Sequence, residues 1–499
     1  MKNNSSKRLF LKRLYAILSG GLIPFSFSPF DLYFLSIFSL IVIFYLWSTT
    51  KTARESFLLG YLFGFAMFGI GVNWLHISIN LFGGVNLFFA LFFTYTFIAF
   101  ISLYPALTGY IAVKYFRSNF FIFIPILWVL SEWTKGWLLT GFPWLNIGTS
   151  QTNSILVNFA PIIGDYGVSF ITCIFAAATI KVFSCYKKER FLSAILLIII
   201  PLTSLSLNKI NWTEHTGEAL NVALVQGNIS QEIKWHPTQK EESFNIYTEL
   251  SEPFWLSDLI IWPETAIASR YHQADNFVKN INQIRQKSNA FFMSGIINEN
   301  ISSGEYFNSI LLIDNKHHFY NKHHLVPFGE YLPFKKILYH PLRLFNIPIS
   351  DFSSGKYNEK NFETSKGNFG MSICYEDAYG TEVRRSMPNA NILINVSNDA
   401  WFGNSMAPHQ HLQIARMRAI ENSRYLLRAT NNGISAIIDN KGKIIARSPQ
   451  FEKHVLNVNV ALFTGATPYS KYGNMPLLIF FALFTLINII KRRLFLKIT

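Results

Sequence analysis

The chain has 499 residues, half of them hydrophobic and 16% aromatic, with 15% charged and a formal net charge of +15. This composition excludes a disordered chain, a collagen and a small disulfide scaffold. Residues 1–208 carry fourteen Lys/Arg against five acids, residues 210–465 balance 24 against 24, and the tail after Gly465 has five basic residues and no acid, so the excess belongs to the apolar regions and does not point to a nucleic-acid partner.

A membrane-spanning helix needs about 20 mostly apolar residues. Eight segments qualify as candidates: Leu14–Phe30, Leu32–Ser48, Phe57–Ile79, Leu87–Val113, Phe120–Leu139, Phe159–Ile180, Phe191–Leu207 and Pro476–Ile490. The first is interrupted by Pro24 and Pro29 and competes with a cleaved signal peptide, although no small-residue cleavage site precedes the second. Cytoplasmic connections collect Lys and Arg. Alternate connections here hold 17 of the 20 basic residues outside the middle region, leaving only Lys135, Lys209 and Lys471 on the other side. Both termini are therefore expected in the cytoplasm and the long segment between the seventh and eighth spans outside. The expected domains are a seven-helix membrane domain (1–208), an exported domain (219–465) and an eighth helix (475–490) with a basic cytoplasmic tail. Trp128, Trp133, Trp137 and Trp144 suggest an interfacial aromatic belt. Glu132 and Asn73 fall in or near spans, where a polar group is either functional or placed at the headgroup level.

This topology separates the three cysteines. Cys173 falls in the sixth span, Cys185 in a cytoplasmic loop and Cys374 in the exported domain. Cys374 then has no intramolecular partner in an oxidising compartment, where a free thiol is either used or well buried.

The exported region alternates short apolar runs with amphipathic stretches. Strands are predicted at Leu220–Gln226, Leu259–Trp262, Ala290–Ile296, Ser309–Asp314, Phe369–Cys374, Ile392–Val396 and Ser435–Asp439, and helices at Gln239–Glu252, Ala274–Gln286 and His411–Glu421. That alternation predicts an α/β domain large enough for its own core. DLIIWPETA delivers Glu264 just after a strand, HFYNKHHLVPFGEYLP places Lys322 after another with Glu330 eight residues on, and NFGMSICYEDAYG ends a strand at Cys374, followed by Tyr375 and Glu376. A carboxylate, an amine and a thiol at one sheet edge make a base, a charge stabiliser and a nucleophile.

The Glu264, Lys322, Cys374 pattern resembles the nitrilase superfamily, whose domain is a four-layer αββα sandwich. In its membrane context the chain is similar to the apolipoprotein N-acyltransferases of the bacterial inner membrane. The matching stretches are LLTGFPWL (138–145), FAPIIG (159–164), VALVQGNI (222–229), WPETA (262–266), YNKHHLVPFGEYLP (320–333), SICYED (372–377) and the run from Asn395 to Ser435. One departure is Ser230, where the family commonly has proline.

The resemblance implies a two-step, ping-pong transfer. Cys374 takes an acyl chain from a phospholipid as a thioester, and the chain then passes to the α-amine of the diacylglyceryl-cysteine of an apolipoprotein. Glu264 is implied as general base and acid. Lys322, with the backbone N–H after Cys374, stabilises the oxyanion, and removal of one such donor costs about 100- to 1,000-fold in rate. Glu330 is implied to hold Lys322, Tyr375 and Glu376 to support the site, and Trp235, with Tyr375, to line the acyl pocket. This chemistry requires no metal, nucleotide or other cofactor. The implied partners are the phospholipid donor, the lipoprotein acceptor and the bilayer.

Tyr331–Ile349 mixes apolar bulk with Lys335, Lys336 and Arg343 and reads either as an arm dipping into headgroups or as a segment packed on the core. His317, His318, His323 and His324, and His409 with His411, lack a complete zinc-ligand spacing and read as solvated or hydrogen-bonded. Gly433-Ile434-Ser435-Ala436 lacks the final glycine of a serine-hydrolase elbow. Arg416, Arg418, Arg424 and Arg428 read as a helix face paired with Glu421 and neighbours. A tethered nitrilase-type amidase would share the triad without needing eight spans, and a transporter would share the spans without the triad.

Overall fold

The computed structural model describes residues 2–184, 187–231, 234, 240–337 and 351–498. The chain divides into two compact units, one of residues 1–71, 98–211 and 467–499, the other of residues 72–97 and 212–466. Residues 72–97, apolar in sequence, therefore group with the α/β region.

The first unit is helical, with Lys2–Leu22, Phe34–Ser48, Ala53–Gly71, Leu103–Tyr115, Phe120–Lys135, Ala160–Ser184, Lys187–Leu207 and Met475–Ile498 as its main helices. Its helices approach closely where side chains are absent. A Cβ at Gly20 would stand 2.1 Å from the Phe63 carbonyl oxygen, and one at Gly60 2.5 Å from that of Pro105. Such small-residue contacts let helix backbones pack where apolar solvent gives no hydrophobic drive. Among the described residues four helices are long and apolar enough to cross a membrane: Ser6–Ser26, Leu87–Tyr115, Ile155–Phe183 and Lys187–Leu207. A fifth candidate, over the predicted segment Phe57–Ile79, is broken between Gly71 and Leu75, and Phe34–Ser48 and Met475–Lys491 are apolar but shorter. The break follows from the turn at Asn73, whose carbonyl oxygen lies 2.5 Å from His76 Nδ1.

One expectation for this unit is corrected. Trp128 and Trp144 are buried rather than part of an exposed belt, and only Trp137 of the four is exposed. Glu132 is buried: it accepts hydrogen bonds from Trp128 Nε1 (3.0 Å) and Ile147 N (2.8 Å) inside the unit, next to a buried Lys135 that donates to the Trp144 carbonyl (2.5 Å). The two donors that meet Oε1, one from the same helix and one from Ile147, explain why the carboxylate packs inward.

The second unit is an α/β domain. Its strands are β1 (Thr213–Gln226), β2 (Leu259–Ile261), β3 (Ile267–Arg270), β4 (Phe291–Asn300), β5 (Glu305–Ile313), β6 (His317–Asn321), β7 (Phe362–Thr364), β8 (Gly367–Ile373), β9 (Ile392–Ser397), β10 (Leu426–Thr430), β11 (Ala436–Ile438), β12 (Ile444–Arg447) and β13 (His454–Gly465). One sheet runs β13-β1-β2-β4-β5-β6, with β3 on β4; the other runs β12-β11-β10-β9-β8-β7. All seven predicted strands form. So do the three predicted helices, as Lys240–Ser251, Asp275–Ser288 and Ala407–Asn422.

The two sheets face each other across one core. Leu220, Val222, Leu224, Ile261, Met293 and Leu312 of the first sheet pack with Phe369, Met371, Ile373, Ile394, Val396 and Leu427 of the second. On the outer face of the first sheet, Val225, Ile260 and Phe292 pack with Phe244, Tyr247, Val278 and Ile281 of two helices. On the outer face of the second, Leu393, Leu426 and Ile438 pack with Leu412, Ala415 and Ala419. These layers make the αββα sandwich. Strands buried on both faces need continuous apolar runs, which is what LNVALVQ and ILINV supply.

Candidate active site

Three strand ends deliver the reactive groups. Glu264 follows β2 by three residues, Lys322 directly follows β6, and Cys374 directly follows β8 and opens a short 3₁₀ turn, Cys374–Ala378. Glu264, Lys322 and Cys374 are all buried. Cys374 has φ +51°, a left-handed conformation that costs a non-glycine residue about 1–3 kcal/mol and persists only when its surroundings impose it.

Lys322 Nζ stands 2.9 Å from Glu330 and 3.6 Å from Glu264 Oε1. Burial would lower this ammonium, but Glu330 and Glu264 outweigh it and hold the group above the ordinary lysine value, so it is charged. Glu330 is itself anchored, accepting from Val326 N at 2.7 Å. Burial pushes the Cys374 thiol up, Glu264 adds to the rise and Lys322 opposes it. Cys374 is thus held as a protonated thiol, with Glu264 and Lys322 acting on it.

Glu376 lies beneath this edge. Its Oε1 accepts from His323 N (2.7 Å) and His324 N (3.1 Å), and its Oε2 from Ile373 N (2.7 Å) and Tyr320 Oη (3.0 Å). One carboxylate therefore ties the residue before Cys374 to the residues after Lys322. Burial pushes it up to about 7, against the Ile373 N–H and the Lys322 charge. Tyr375 meets His324 and Tyr379 edge-on, with ring centroids 5.9 and 5.2 Å apart. Trp235 lies outside the described residues, as does the arm beyond Ile337; within its first part Phe334 and Ile337 are exposed and Lys335 pairs with Asp351 at 2.7 Å.

Two further residues reach the site without having been predicted. Asn308 of β5 donates from Nδ2 to Glu264 Oε1 (2.8 Å) and to Glu330 Oε1 (2.7 Å). Lys234, also buried, donates from Nζ to the Glu264 carbonyl oxygen at 3.0 Å. Burial lowers it to about 8, with Glu264 and Cys374 opposing. A polar residue inside the apolar run NSILLI was the available signal for Asn308; for Lys234 no local pattern exists.

The apolipoprotein N-acyltransferase N-terminal domain matches residues 19–178, and the carbon-nitrogen hydrolase domain matches residues 221–467. The apolipoprotein N-acyltransferase of Methylococcus capsulatus is 37% identical over 472 residues, covering 93% of this chain and 94% of its own. The chain belongs to the apolipoprotein N-acyltransferase family. The Vibrio cholerae and Haemophilus influenzae relatives are 36% and 37% identical, each alignment covering 96% of both chains. Among solved structures, a carbon-nitrogen hydrolase from Helicobacter pylori aligns with 48% of this chain and 88% of its own at 16% identity and a TM-score of 0.38. The match of residues 221–467 to the carbon-nitrogen hydrolase family model places that domain in the second unit of this N-acyltransferase, compatible with chemistry through a thioester.

Several other histidines of this domain are held by polar or aromatic neighbours. His317 Nδ1 lies 2.5 Å from Tyr271 Oη, His318 3.3 Å from Asp314, His323 3.2 Å from Glu382, and His324 stacks on Tyr379 at 3.7 Å. Ser435 is a core residue whose hydroxyl donates to Gln226 Oε1 at 2.7 Å. The single helix face expected for Arg416, Arg418, Arg424 and Arg428 is corrected. Ser423 adopts φ +49° and ends the helix at Asn422, so only the first two arginines are helical. Arg424 is buried against the carbonyls of Ala390 (2.7 Å) and Gly465 (2.6 Å), and Arg428 lies buried on β10.

Proposed function

We propose that this chain transfers an acyl chain from a membrane phospholipid, through a thioester on Cys374, to the N-terminal amine of a diacylated apolipoprotein. The observation that carries the reading is a buried Glu264–Lys322 pair, 3.6 Å apart, whose charges both act on the buried Cys374 thiol in a member of this family. In the first step Glu264 takes the thiol proton as sulfur adds to the ester carbonyl. Lys322 faces the developing oxyanion, and its charge is worth more in a buried site than in water. Collapse expels the lysophospholipid oxygen, which receives the proton from Glu264. In the second step the acceptor amine attacks the thioester, Glu264 takes its proton, and the sulfur leaves with the amide formed. A resting protonated thiol suits this scheme, because the proton moves only when substrate is present.

The proposed setting is the bacterial inner membrane, with all eight hydropathy segments crossing, both termini in the cytoplasm and the catalytic domain in the periplasm. The asymmetry of Lys and Arg between alternate connections supports it. In this arrangement both substrates have acyl chains in the bilayer and reactive groups at its outer surface.

The test is to incubate the purified protein with phospholipid vesicles and search by mass spectrometry for an acyl adduct on the Cys374 peptide. An adduct in wild type that is lost in Cys374→Ala and collapses in Glu264→Gln is expected. An undiminished adduct in Cys374→Ala sinks the mechanism. Adding a diacylated lipopeptide then separates transfer from hydrolysis: an acylated amine is expected, and release of free fatty acid alone would favour an amidase-like hydrolase.

A further inference from the structure

Behind the nucleophile lies a buried quartet that the scheme above does not use. It consists of Asp377 on the Cys374 turn, Asp399 on the turn after β9, His411 on the helix Ala407–Asn422, and Arg428 on β10; all four are buried. His411 Nε2 lies 2.7 Å from Asp377 Oδ1 and 3.3 Å from the Cys374 carbonyl oxygen, and Nδ1 lies 3.0 Å from Asp399 Oδ1. Arg428 donates to Asp377 Oδ2 (3.0 Å), to Asp399 Oδ2 (3.0 Å) and to Asn395 Oδ1 (2.6 Å). The Asn395 amide in turn donates to the Cys374 carbonyl at 3.4 Å. Two donors, one oriented by the carboxylates and one by the arginine, therefore converge on the carbonyl of the one residue in the triad whose backbone is left-handed.

We propose that His411 is a positioning residue for acyl transfer: clamped between Asp377 and Asp399, it holds the Cys374 carbonyl and with it the backbone conformation that presents the thiol. The reading rests on Cys374 being the nucleophile.

The charges of the quartet fit this role. With His411 doubly protonated the cluster has two cations and two anions and is neutral, as a fully buried group needs to be, and it is so against the Arg428 Nη2 that stands 2.8 Å from His411 Nδ1. Burial and the Arg428 cation oppose protonation of His411, but Asp377 and Asp399 raise it to about 9. Asp399, which burial alone would raise, is held well below the usual carboxylate range by Arg428 and His411. The space is closed as well: a Cβ at Gly433 would lie 2.4 Å from Asp399 Oδ2. A histidine needed only to fill volume does not require two carboxylates, and one needed only for charge balance does not require Nε2 to face the Cys374 carbonyl.

The experiment measures single-turnover acylation of Cys374 by phosphatidylethanolamine vesicles in full-length wild type, His411→Gln and Asp399→Asn, from pH 7 to 10, corrected for the folded fraction by near-ultraviolet circular dichroism. Formation of the adduct in wild type establishes the nucleophile independently of the variants. In His411→Gln the acylation rate at pH 7.5 is expected to fall about 100-fold, the effect of misplacing a reacting group by roughly 1 Å. The half-saturating phospholipid concentration should stay within about twofold. The ratio of wild-type to His411→Gln rates should decline as pH rises through about 9, where wild-type His411 loses its proton. In Asp399→Asn the alkaline fall should move to lower pH, because one of the two carboxylates holding the imidazolium is gone. Variants that acylate within about threefold of wild type, or a loss confined to phospholipid binding, overturn the proposal. If only one variant folds, it decides alone. If neither folds, the wild-type profile decides, and a rate that keeps rising from pH 9 to 10 overturns it.

Discussion

Asn308 Nδ2 donates to Glu264 Oε1 at 2.8 Å, and the same nitrogen reaches Glu330 Oε1 at 2.7 Å. Two carboxylates that both face Lys322 are thus spaced by one neutral amide. Asn308→Ala leaves them with the lysine alone, so Glu264 is free to close its 3.6 Å gap to Nζ and turn from the thiol. A hydrogen bond to a charged group contributes about 1.5–3 kcal/mol. Cys374 acylation per folded molecule in Asn308→Ala is accordingly expected to slow by about 10- to 100-fold and the melting temperature to fall, measured by single-turnover mass spectrometry beside thermal unfolding. An unchanged rate would show that Glu264 is held by other contacts.

Gly295 of β4 passes directly beneath the Glu264 turn. A Cβ there would lie 2.2 Å from Thr265 N and 2.6 Å from Glu264 Cα, and these are backbone atoms that cannot swing away. Gly295→Ala must push the Glu264–Thr265 segment outward while β4 keeps its pairing with β5. The expected outcome is a kcat reduced by about 100-fold, because displacement near 1 Å is enough. Circular dichroism should remain that of the wild type. A variant with full activity would mean that the turn tolerates the shift.

Arg424 shows how a charge can be structural. Its guanidinium, inside the domain, joins the carbonyls of Ala390 and Gly465, so it ties the turn two residues before β9 to the end of β13. Arg424→Met preserves bulk but leaves both carbonyls without this donor. Unsatisfied buried groups cost about 1–3 kcal/mol each, and the variant should unfold about 2–5 kcal/mol more easily in denaturant. Its Cys374 acylation rate per folded molecule should be unaltered.

The positions of the Cys374 thiol, the Lys322 amine and the Glu264 carboxylate were legible because each follows a strand, two of them marked by apolar runs, LII before Glu264 and GMSI before Cys374, and the third by the turn-bounded HHFYN before Lys322. The sandwich was legible for the same reason, since LNVALVQ and ILINV can be buried on both faces only between layers. The supporting shell was not. Asn308 meets Glu264 across 44 residues, Arg428 meets Asp377 across 51, and His411 meets Cys374 across 37, with no local spacing to announce any of them. The weak signal was a polar residue inside an apolar strand, Asn308 in NSILLI and Arg428 in LLRAT. The arginine face failed at a single backbone angle, the left-handed Ser423, which sends the chain out of the helix before Arg424.

Lys234 supplies the last prediction. Its Nζ donates to the Glu264 carbonyl, and burial lowers it from the ordinary lysine value of 10.5 to about 8. Below pH 8 both folded and unfolded chains carry this proton, and the folded state bears the full cost of the buried charge. Between pH 8 and 10.5 the folded state gives up the proton while the unfolded state keeps it, so stability rises with pH across that window. The cost at neutral pH corresponds to about 3 kcal/mol. Lys234→Met should therefore be more stable than wild type at pH 7 by about 1–3 kcal/mol, after loss of one hydrogen bond, with the advantage shrinking above pH 8. The same cation acts on Cys374 and favours its thiolate. Acylation at pH 7 should consequently fall about tenfold in Lys234→Met, and the ratio of wild-type to variant rates should approach one as pH rises through 8. Denaturant titrations and single-turnover rates at pH 7 and 9 check both halves. A variant that is neither more stable nor slower at pH 7 would mean that the ammonium is fully compensated where it sits.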